Sequence, residues 1–262
     1  MNANDVMMNF SHAYEELGVW ECFGGQRLDA TGLQGTDCYC DDESVAHIRE
    51  LLRPFSPQGV HWIDSGNYHY LTLFWVEKVE RPFSLVLFDH HPDMQQPRFA
   101  GLLSCGSWLR ALLEGQPYLR SACIVGASLQ LREHLAGFEQ RVTWLDESLC
   151  DADGNRLAKA LADYLDTCAG EALYLSVDKD VLSPDYARTN WDQGSLTLPA
   201  LLRLLALVMS TGRVIGADVC GELTEAQGST EGDRQVNITC NSRLQQLFDS
   251  YGPSWSGFTA LL

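Results

Sequence analysis

Two short acidic clusters carry the chemistry in this sequence. The first, Asp89-His90-His91-Pro92-Asp93, follows directly on the apolar run Leu-Val-Leu-Phe. In an extended chain, residues i and i+2 share a face, so Asp89 and His91 point the same way. Pro92 then bends the chain and lets Asp93 return to that side. The second cluster, Asp178-Lys179-Asp180, follows Ala-Leu-Tyr-Leu-Ser-Val. The same spacing puts its two carboxylates on one face and Lys179 on the other. Carboxylates this close repel one another unless a cation or a proton lies between them. Taken singly, each cluster fits a solvated turn or a helix-capping Asp as well as it fits a metal site.

Taken together the two clusters say more. Both end apolar runs of strand character, so both can converge at one edge of a sheet. Four carboxylates carry four negative charges, which two divalent cations would balance, and a bridging Asp is a natural way to hold two such cations close together. Oxygen-rich ligation with some imidazole suits Mn²⁺ or a similar ion, not the thiolate-rich chemistry of structural zinc. His69 is the third element. It follows the run 59–64 and the turn Ser65-Gly66-Asn67-Tyr68, in which Gly66 permits a close backbone approach. A lone His in that place fits the core or the surface; its position after another strand end makes it a candidate sixth ligand.

The elements that must position these residues are legible from periodicity. Apolar or β-branched runs at 59–64, 84–89, 121–126, 141–146, 172–178 and 213–219 predict strands. Amphipathic stretches near 42–53, 69–79, 104–114, 155–168, 198–210 and 235–250 predict helices between them. Strands apolar on both faces and alternating with helices indicate an α/β fold: a mostly parallel sheet with helices on both faces, with its site beyond the carboxyl ends of the strands. Residues 20–40, rich in Gly and turn formers, read as a long surface excursion. No linker or repeat divides the 262 residues, which read as a single domain over 1–262.

Bulk properties narrow the partners. The formal net charge of -17 opposes binding to nucleic acid and to anionic membrane surfaces. The segment Leu-Pro-Ala-Leu-Leu-Arg-Leu-Leu-Ala-Leu-Val-Met-Ser (198–210) is too short to span a bilayer and is interrupted by Arg203, so it reads as a buried helix. The N-terminal segment lacks the basic and apolar regions of a secretory leader. Nine scattered cysteines then read as reduced thiols of a cytoplasmic protein. Cys38-x-Cys40 has metal-ligand spacing but no second pair to complete a site. His12, His47, His61 and His134 read as structural.

In order and separation these elements resemble the arginase/agmatinase family of ureohydrolases. The family's Gly-Gly-Asp-His motif is similar to Gly66-Asn67-Tyr68-His69. Its Asp-Ala-His-x-Asp motif is matched by Asp89-His90-His91-Pro92-Asp93, and its Ser-x-Asp-x-Asp motif by Ser176-Val177-Asp178-Lys179-Asp180, with Pro184 as counterpart of a following Pro. Asp218-Val219-Cys220-Gly221-Glu222 resembles a later strand whose acidic end receives a guanidinium group, with Glu222 one residue out of register. The resemblance spans about residues 60–225.

It implies the three-layer arginase/deacetylase-like fold and two Mn²⁺ ions. His69, Asp89, His91, Asp93, Asp178 and Asp180 would be the ligands, with Asp89 and Asp178 bridging. The implied activity is hydrolysis of a linear C–N bond in a small-molecule amidine or guanidine, by a metal-activated water. Glu222 or Asp218 would pair with the substrate's positive head, and Trp191 and Asp192, just past the second Asp pair, would line the pocket, Trp191 by stacking on a planar cation. A loop aromatic closing the edge of the core is the plainer reading of Trp191. Family members are often homo-oligomers.

The sequence also departs from the pattern. Cys105 stands where many members carry a proton-shuttling His, and a free thiol is poorly matched to that role near neutrality. The Gly-Thr-Gly-Thr-Pro loop is replaced by Thr189-Asn190-Trp191-Asp192-Gln193-Gly194. The segment that reads a substrate amino acid has become Gly126-Ala127-Ser128-Leu129-Gln130, which gives no support to recognition of arginine's α-amino and carboxyl groups. His90 replaces a small residue, and either contacts the site from behind or points into the sheet. Two alternatives stay open: a single-zinc deacetylase on the same fold, which the four-Asp count disfavours, and a metal-stabilised binding protein without catalysis, which the replacement at Cys105 suggests.

Overall fold

The computed structural model describes residues 4–97, 101–151 and 153–251. The first three residues of the N-terminal segment and the ends of the 1–262 span lie outside them. Among the described residues ten strands are seen: β1 (Val6–Asn9), β2 (Gln26–Asp29), β3 (Tyr39–Cys40), β4 (Val60–Trp62), β5 (Phe83–Phe88), β6 (Leu103–Ser104), β7 (Leu119–Val125), β8 (Val142–Leu145), β9 (Ala172–Asp178) and β10 (Val214–Cys220). The helices are α1 (Ala13–Glu16), α2 (Asp42–Leu52), α3 (Leu71–Val76), α4 (Trp108–Gly115), α5 (Asn155–Thr167), α6 (Leu198–Met209) and α7 (Glu231–Tyr251). Eight strands form one sheet in the order β2-β1-β4-β10-β9-β5-β7-β8, every pair parallel.

The two-residue period of the strands sorts their side chains into two cores. On β5, Val86 and Phe88 join one cluster, while Phe83, Leu85 and Leu87 join the other. On β9, Leu173, Leu175 and Val177 face the first cluster, and Ala172 and Tyr174 the second. Helices α1, α5, α6 and α7 pack on the first face through residues such as Tyr14, Leu161, Leu204 and Leu244. Helices α2, α3 and α4 cover the second through Ile48, Phe74 and Leu112. The three layers expected from the sequence are therefore present.

Local signals set the helix ends. Asp41 caps α2, accepting from the Ser44 N–H at 2.8 Å, and Thr197 caps α6, with Pro199 in its first turn. The helix expected over 104–114 starts only at Trp108, because Leu103 and Ser104 pair instead with Cys40 and Tyr39 in a small antiparallel ladder. The helix expected over 69–79 is shortened to Leu71–Val76, preceded by a 3₁₀ turn at Gly66–Tyr68.

The reading of residues 20–40 as an excursion is corrected: Gln26–Asp29 is the edge strand β2, paired to β1. Its burial is slight, so it has no apolar alternation to give it away. β1, fully buried, was also missed, since four residues are too few to show a period.

Because β9 and β10 insert between β4 and β5, the chain leaves β4 for a distant partner. That reversal of strand order opens a crevice beyond the carboxyl ends of these strands. Among the described residues no helix is long and apolar enough to cross a membrane.

Candidate metal centre

The loops after β4, β5 and β9 meet in this crevice. Asp89 follows β5, and its Oδ1 accepts the His91 N–H at 2.6 Å, folding the chain back on itself. Asp93 adopts a left-handed conformation (φ 51°) just after Pro92 and accepts from Trp108 Nε1 at 2.5 Å. Asp178 closes β9, and its Oδ1 accepts the Asp180 N–H at 2.9 Å. Asp180 Oδ1 accepts from the His90 N–H at 3.0 Å, which joins the two acidic loops. His69 enters from the 3₁₀ turn after β4. The turn needs glycine at 66, where a β-carbon would lie 2.9 Å from Asp178 Oδ2 and 3.0 Å from Trp191.

Five of the six expected ligands form two groups that share Asp89. In one, His69 Nδ1 lies 2.9 Å from Asp93 Oδ2 and 3.2 Å from Asp89 Oδ2. In the other, His91 Nδ1 lies 2.8 Å from Asp180 Oδ2 and 3.7 Å from Asp89 Oδ1. Asp178 Oδ2 lies 3.6 Å from His69 Nδ1. The ligand atoms within each of the sets His69–Asp89–Asp93 and Asp89–His91–Asp180 lie within 4.8 Å of one another, near enough for each set to hold one ion. A further set joins His69 and Asp178 to Cys220, whose thiol donates to Asp178 Oδ2 at 3.0 Å. Cys220 was missed from sequence; its only signal is its place at the end of β10.

Electrostatics favour cations here. Asp89, Asp93, Asp178 and Asp180 are all buried, and among the described residues no Lys or Arg lines the cavity. Burial, followed by repulsion from Asp180 and Asp93, raises the Asp89 carboxyl well above the usual range. Burial and Asp180 push Asp178 up to about 6. Burial alone would lower both imidazoles, but the acids prevail: His91 is pushed up to about 11 by Asp180, Asp89 and Asp93, and His69 is raised by Cys220, Asp89 and Asp93. Without a counter-cation the cluster would have to hold protons to stay buried. Among the described residues Asp89 Oδ2 has no well-aligned hydrogen-bond donor despite the nearness of His69, as suits an oxygen reserved for an ion. The donor set is oxygen-rich with two imidazoles, and it fits divalent ions.

Behind the cluster, His69 Nε2 meets Ser176 Oγ at 2.9 Å, and Ser176 donates to Asp218 at 2.6 Å. This chain turns the Nδ1 of His69 toward the carboxylates and holds it there. Asp218 thus sits behind His69, buried, and does not line the cavity. Glu222 does not line it either. Its Oε1 is 2.6 Å from Lys179 Nζ, and it also accepts from Asn241 at 2.7 Å. The expectation that these two acids face a substrate cation is not matched by their placement: each is already bound to a buried partner.

The cavity, about 240 Å³, is walled by the cluster and by Cys38, Tyr39, Gln95, Ser104, Cys105 and Trp191. Trp191 is 37% exposed at the mouth, and its Nε1 donates to Asn67 Oδ1 at 2.9 Å. Asp192 is exposed and accepts from His91 Nε2 at 3.1 Å. His90 lies against the 190–194 loop, its Nε2 3.9 Å from Asp192, and not in the sheet. Cys105 lines the cavity, but its contact with the Cys38 thiol and its burial push it far above an ordinary thiol, which unsuits it to carry protons near neutrality. Cys38 and Cys40 join no metal set among the described residues. Tyr39 and Gln95 reach the cavity with no motif to mark them, and Cys38 comes from the Cys38-x-Cys40 pair, whose spacing does not point to this cavity.

Comparison with known proteins agrees with this fold. The arginase family model matches residues 27–228. The chain is 29% identical over 216 residues to an uncharacterized protein of Thermotoga maritima, covering 82% of this chain and 78% of that one. Formimidoylglutamase from Bacillus subtilis superposes with a TM-score of 0.67 at 15% identity, over 93% of this chain and 86% of the other. Entamoeba histolytica arginase, solved with L-ornithine, gives 0.67 at 13% identity, over 93% and 99%. These superpositions show a shared fold. The chain belongs to the arginase family, as a divergent ureohydrolase member.

Proposed function

We propose that this protein is a binuclear metal-dependent hydrolase that cleaves a linear C–N bond in an amidine or guanidine. The observation that carries the proposal is the sharing of Asp89 between two ligand sets, one with His69 and Asp93, the other with His91 and Asp180. One zinc would need only three protein ligands, so this doubled arrangement supports two ions over the single-zinc alternative. Manganese suits the oxygen-rich set. Asp178, beside His69 and hydrogen-bonded to the Asp180 backbone, would be a further ligand to these ions.

When bound, the two ions supply a water acidic enough to act as a nucleophile at neutral pH. The residues of the chain do the rest. Burial of the carboxylates keeps bulk water from competing for the site. Ser176 and Asp218 fix the ring of His69. Asp192, exposed at the mouth beside His91, is the carboxylate best placed to meet a cationic head, and Trp191 offers a face on which a planar cation stacks. Glu222 acts from a distance, by holding Lys179 away from the acidic cluster. The reading as one domain, a cytoplasmic location and assembly into homo-oligomers are inferences from the family and the composition.

The test is a screen of Mn²⁺-loaded protein against guanidino and formimino compounds, with Asp178→Asn as control. Release of urea, ammonia or formamide by the wild type but not by Asp178→Asn supports the proposal. No turnover of any compound by fully loaded protein points instead to a metal-stabilised binding protein.

A further inference from the structure

We propose that Cys38 and Cys105 form a reversible dithiol–disulfide couple in the wall of the acidic cavity, oxidised by peroxides. The geometry comes from the small β3–β6 ladder. Tyr39 pairs with Ser104 and Cys40 with Leu103, so the same antiparallel register places Cys38 opposite Cys105. The Cys105 N–H donates to the Cys38 carbonyl at 2.9 Å, which continues the ladder by one step. Opposed residues in such ladders have Cα atoms roughly 4.5–5.5 Å apart, inside the range of roughly 4.4–6.8 Å that a disulfide spans. Both residues line the same cavity. Cys38 is left-handed (φ 59°), so the chain turns at this point.

Access and acidity distinguish this pair from the other cysteines. Cys38 is partly exposed and Cys105 is reached from the cavity, whereas Cys123 and Cys168, another neighbouring pair, are sealed in the core. The contact with Cys105 lowers the Cys38 thiol below its ordinary value, while Cys105 is raised. Cys38 is therefore the attacking thiolate and Cys105 the resolving thiol.

The chemistry balances with peroxide as oxidant. The Cys38 sulfur attacks one peroxide oxygen, an S–O bond forms and the O–O bond breaks. The departing hydroxide takes a proton to leave as water, and Cys38 is left as a sulfenic acid. The Cys105 sulfur then attacks the Cys38 sulfur, the S–S bond forms and the S–O bond breaks. The leaving hydroxide takes the Cys105 proton as a second water. Two thiols lose two electrons and the peroxide gains them. The bridge joins β3 to β6 covalently and fixes Tyr39, 41% exposed beside the metal centre, so oxidation alters the surface a substrate meets. The proposal concerns the cavity wall and holds whatever reaction the site performs.

The experiment is disulfide mapping of the full chain, which needs no activity. Protein is treated with hydrogen peroxide, free thiols are trapped with N-ethylmaleimide after denaturation, and the peptides are analysed without reduction. The expected result is a Cys38–Cys105 cross-link with the loss of two hydrogens in mass. It is reversed by dithiothreitol and forms while Cys123 and Cys168 stay fully trappable. Cys38→Ser and Cys105→Ser should each lose the cross-link. The proposal is overturned if both thiols of the wild type remain trappable, if they pair with other cysteines, or if they pass to sulfinic acids without linking.

Discussion

The ammonium of Lys179 lies 2.6 Å from the Glu222 carboxylate, and neither side chain reaches solvent. Lys179 separates Asp178 from Asp180 in sequence, yet it spends its charge on the opposite side of the strand end, where Asn241 also accepts from it at 3.0 Å. The acidic cluster is thereby left without a neutralising lysine, and its negative charge remains available to cations.

This pairing predicts a structural role for Glu222. Removing one partner of a buried ion pair strands the other, at a cost of about 3–5 kcal/mol. Glu222→Gln should therefore shift the urea midpoint strongly downward, and adding Lys179→Met should recover part of the loss. An unchanged midpoint with a large rise in KM would return Glu222 to the substrate.

Asp89 belongs to both ligand sets and Asp93 to one. Asp89→Asn should weaken both metal sites, whereas Asp93→Asn should weaken one and leave a second equivalent bound. Metal titration monitored calorimetrically distinguishes the two. Equal effects of the two substitutions would contradict the proposed sharing of Asp89 between two ions.

Trp191 is held over the mouth by Asn67, which accepts from its Nε1 and from Asn190 Nδ2 at 2.8 Å. Stacking on a cation is worth about 1–2 kcal/mol when partly desolvated, so Trp191→Ala should raise KM roughly tenfold with a smaller change in kcat. Asn67→Ala should do the same to a lesser degree. Steady-state kinetics on the best substrate of the screen decides this, and a loss confined to kcat would place Trp191 outside substrate binding.

His61 gives a pH dependence separate from the metal centre. It is buried against Trp75, ring centroids 3.6 Å apart and planes 2° apart, and meets the Tyr174 hydroxyl at 2.9 Å. Burial, aided by Lys78, pushes its imidazole down to about 3. The unfolded chain, with an ordinary imidazole near about 6.5, then binds a proton that the folded chain refuses. Stability from this group is full above about pH 6.5 and falls as the pH drops toward 3, by at most about 1.4 kcal/mol per pH unit. Denaturant midpoints between pH 7 and 4 should fall less steeply for His61→Phe than for the wild type. Parallel slopes would show that another group governs acid unfolding.

Much of this was legible in the sequence, for a physical reason. Buried parallel strands are apolar throughout, so Phe83–Phe88 and Ala172–Asp178 announced both themselves and the charged residues that end them. The i, i+2 spacing then placed Asp89 with His91 and Asp178 with Asp180. What escaped depended on contacts distant in sequence. β2 is exposed and β1 too short to show a period. Nothing at position 222 reveals that Lys179, 43 residues earlier, claims its carboxylate. Likewise Cys38, Tyr39 and Cys105 gather only because a two-residue ladder joins their segments, a pairing that no sequence pattern announces.

The most direct test of the metal centre is stoichiometry. Metal-free protein dialysed against Mn²⁺ and measured by inductively coupled plasma mass spectrometry should retain two ions per chain, and Asp178→Asn should retain fewer. A wild type that holds one ion or none at saturation would contradict the binuclear account.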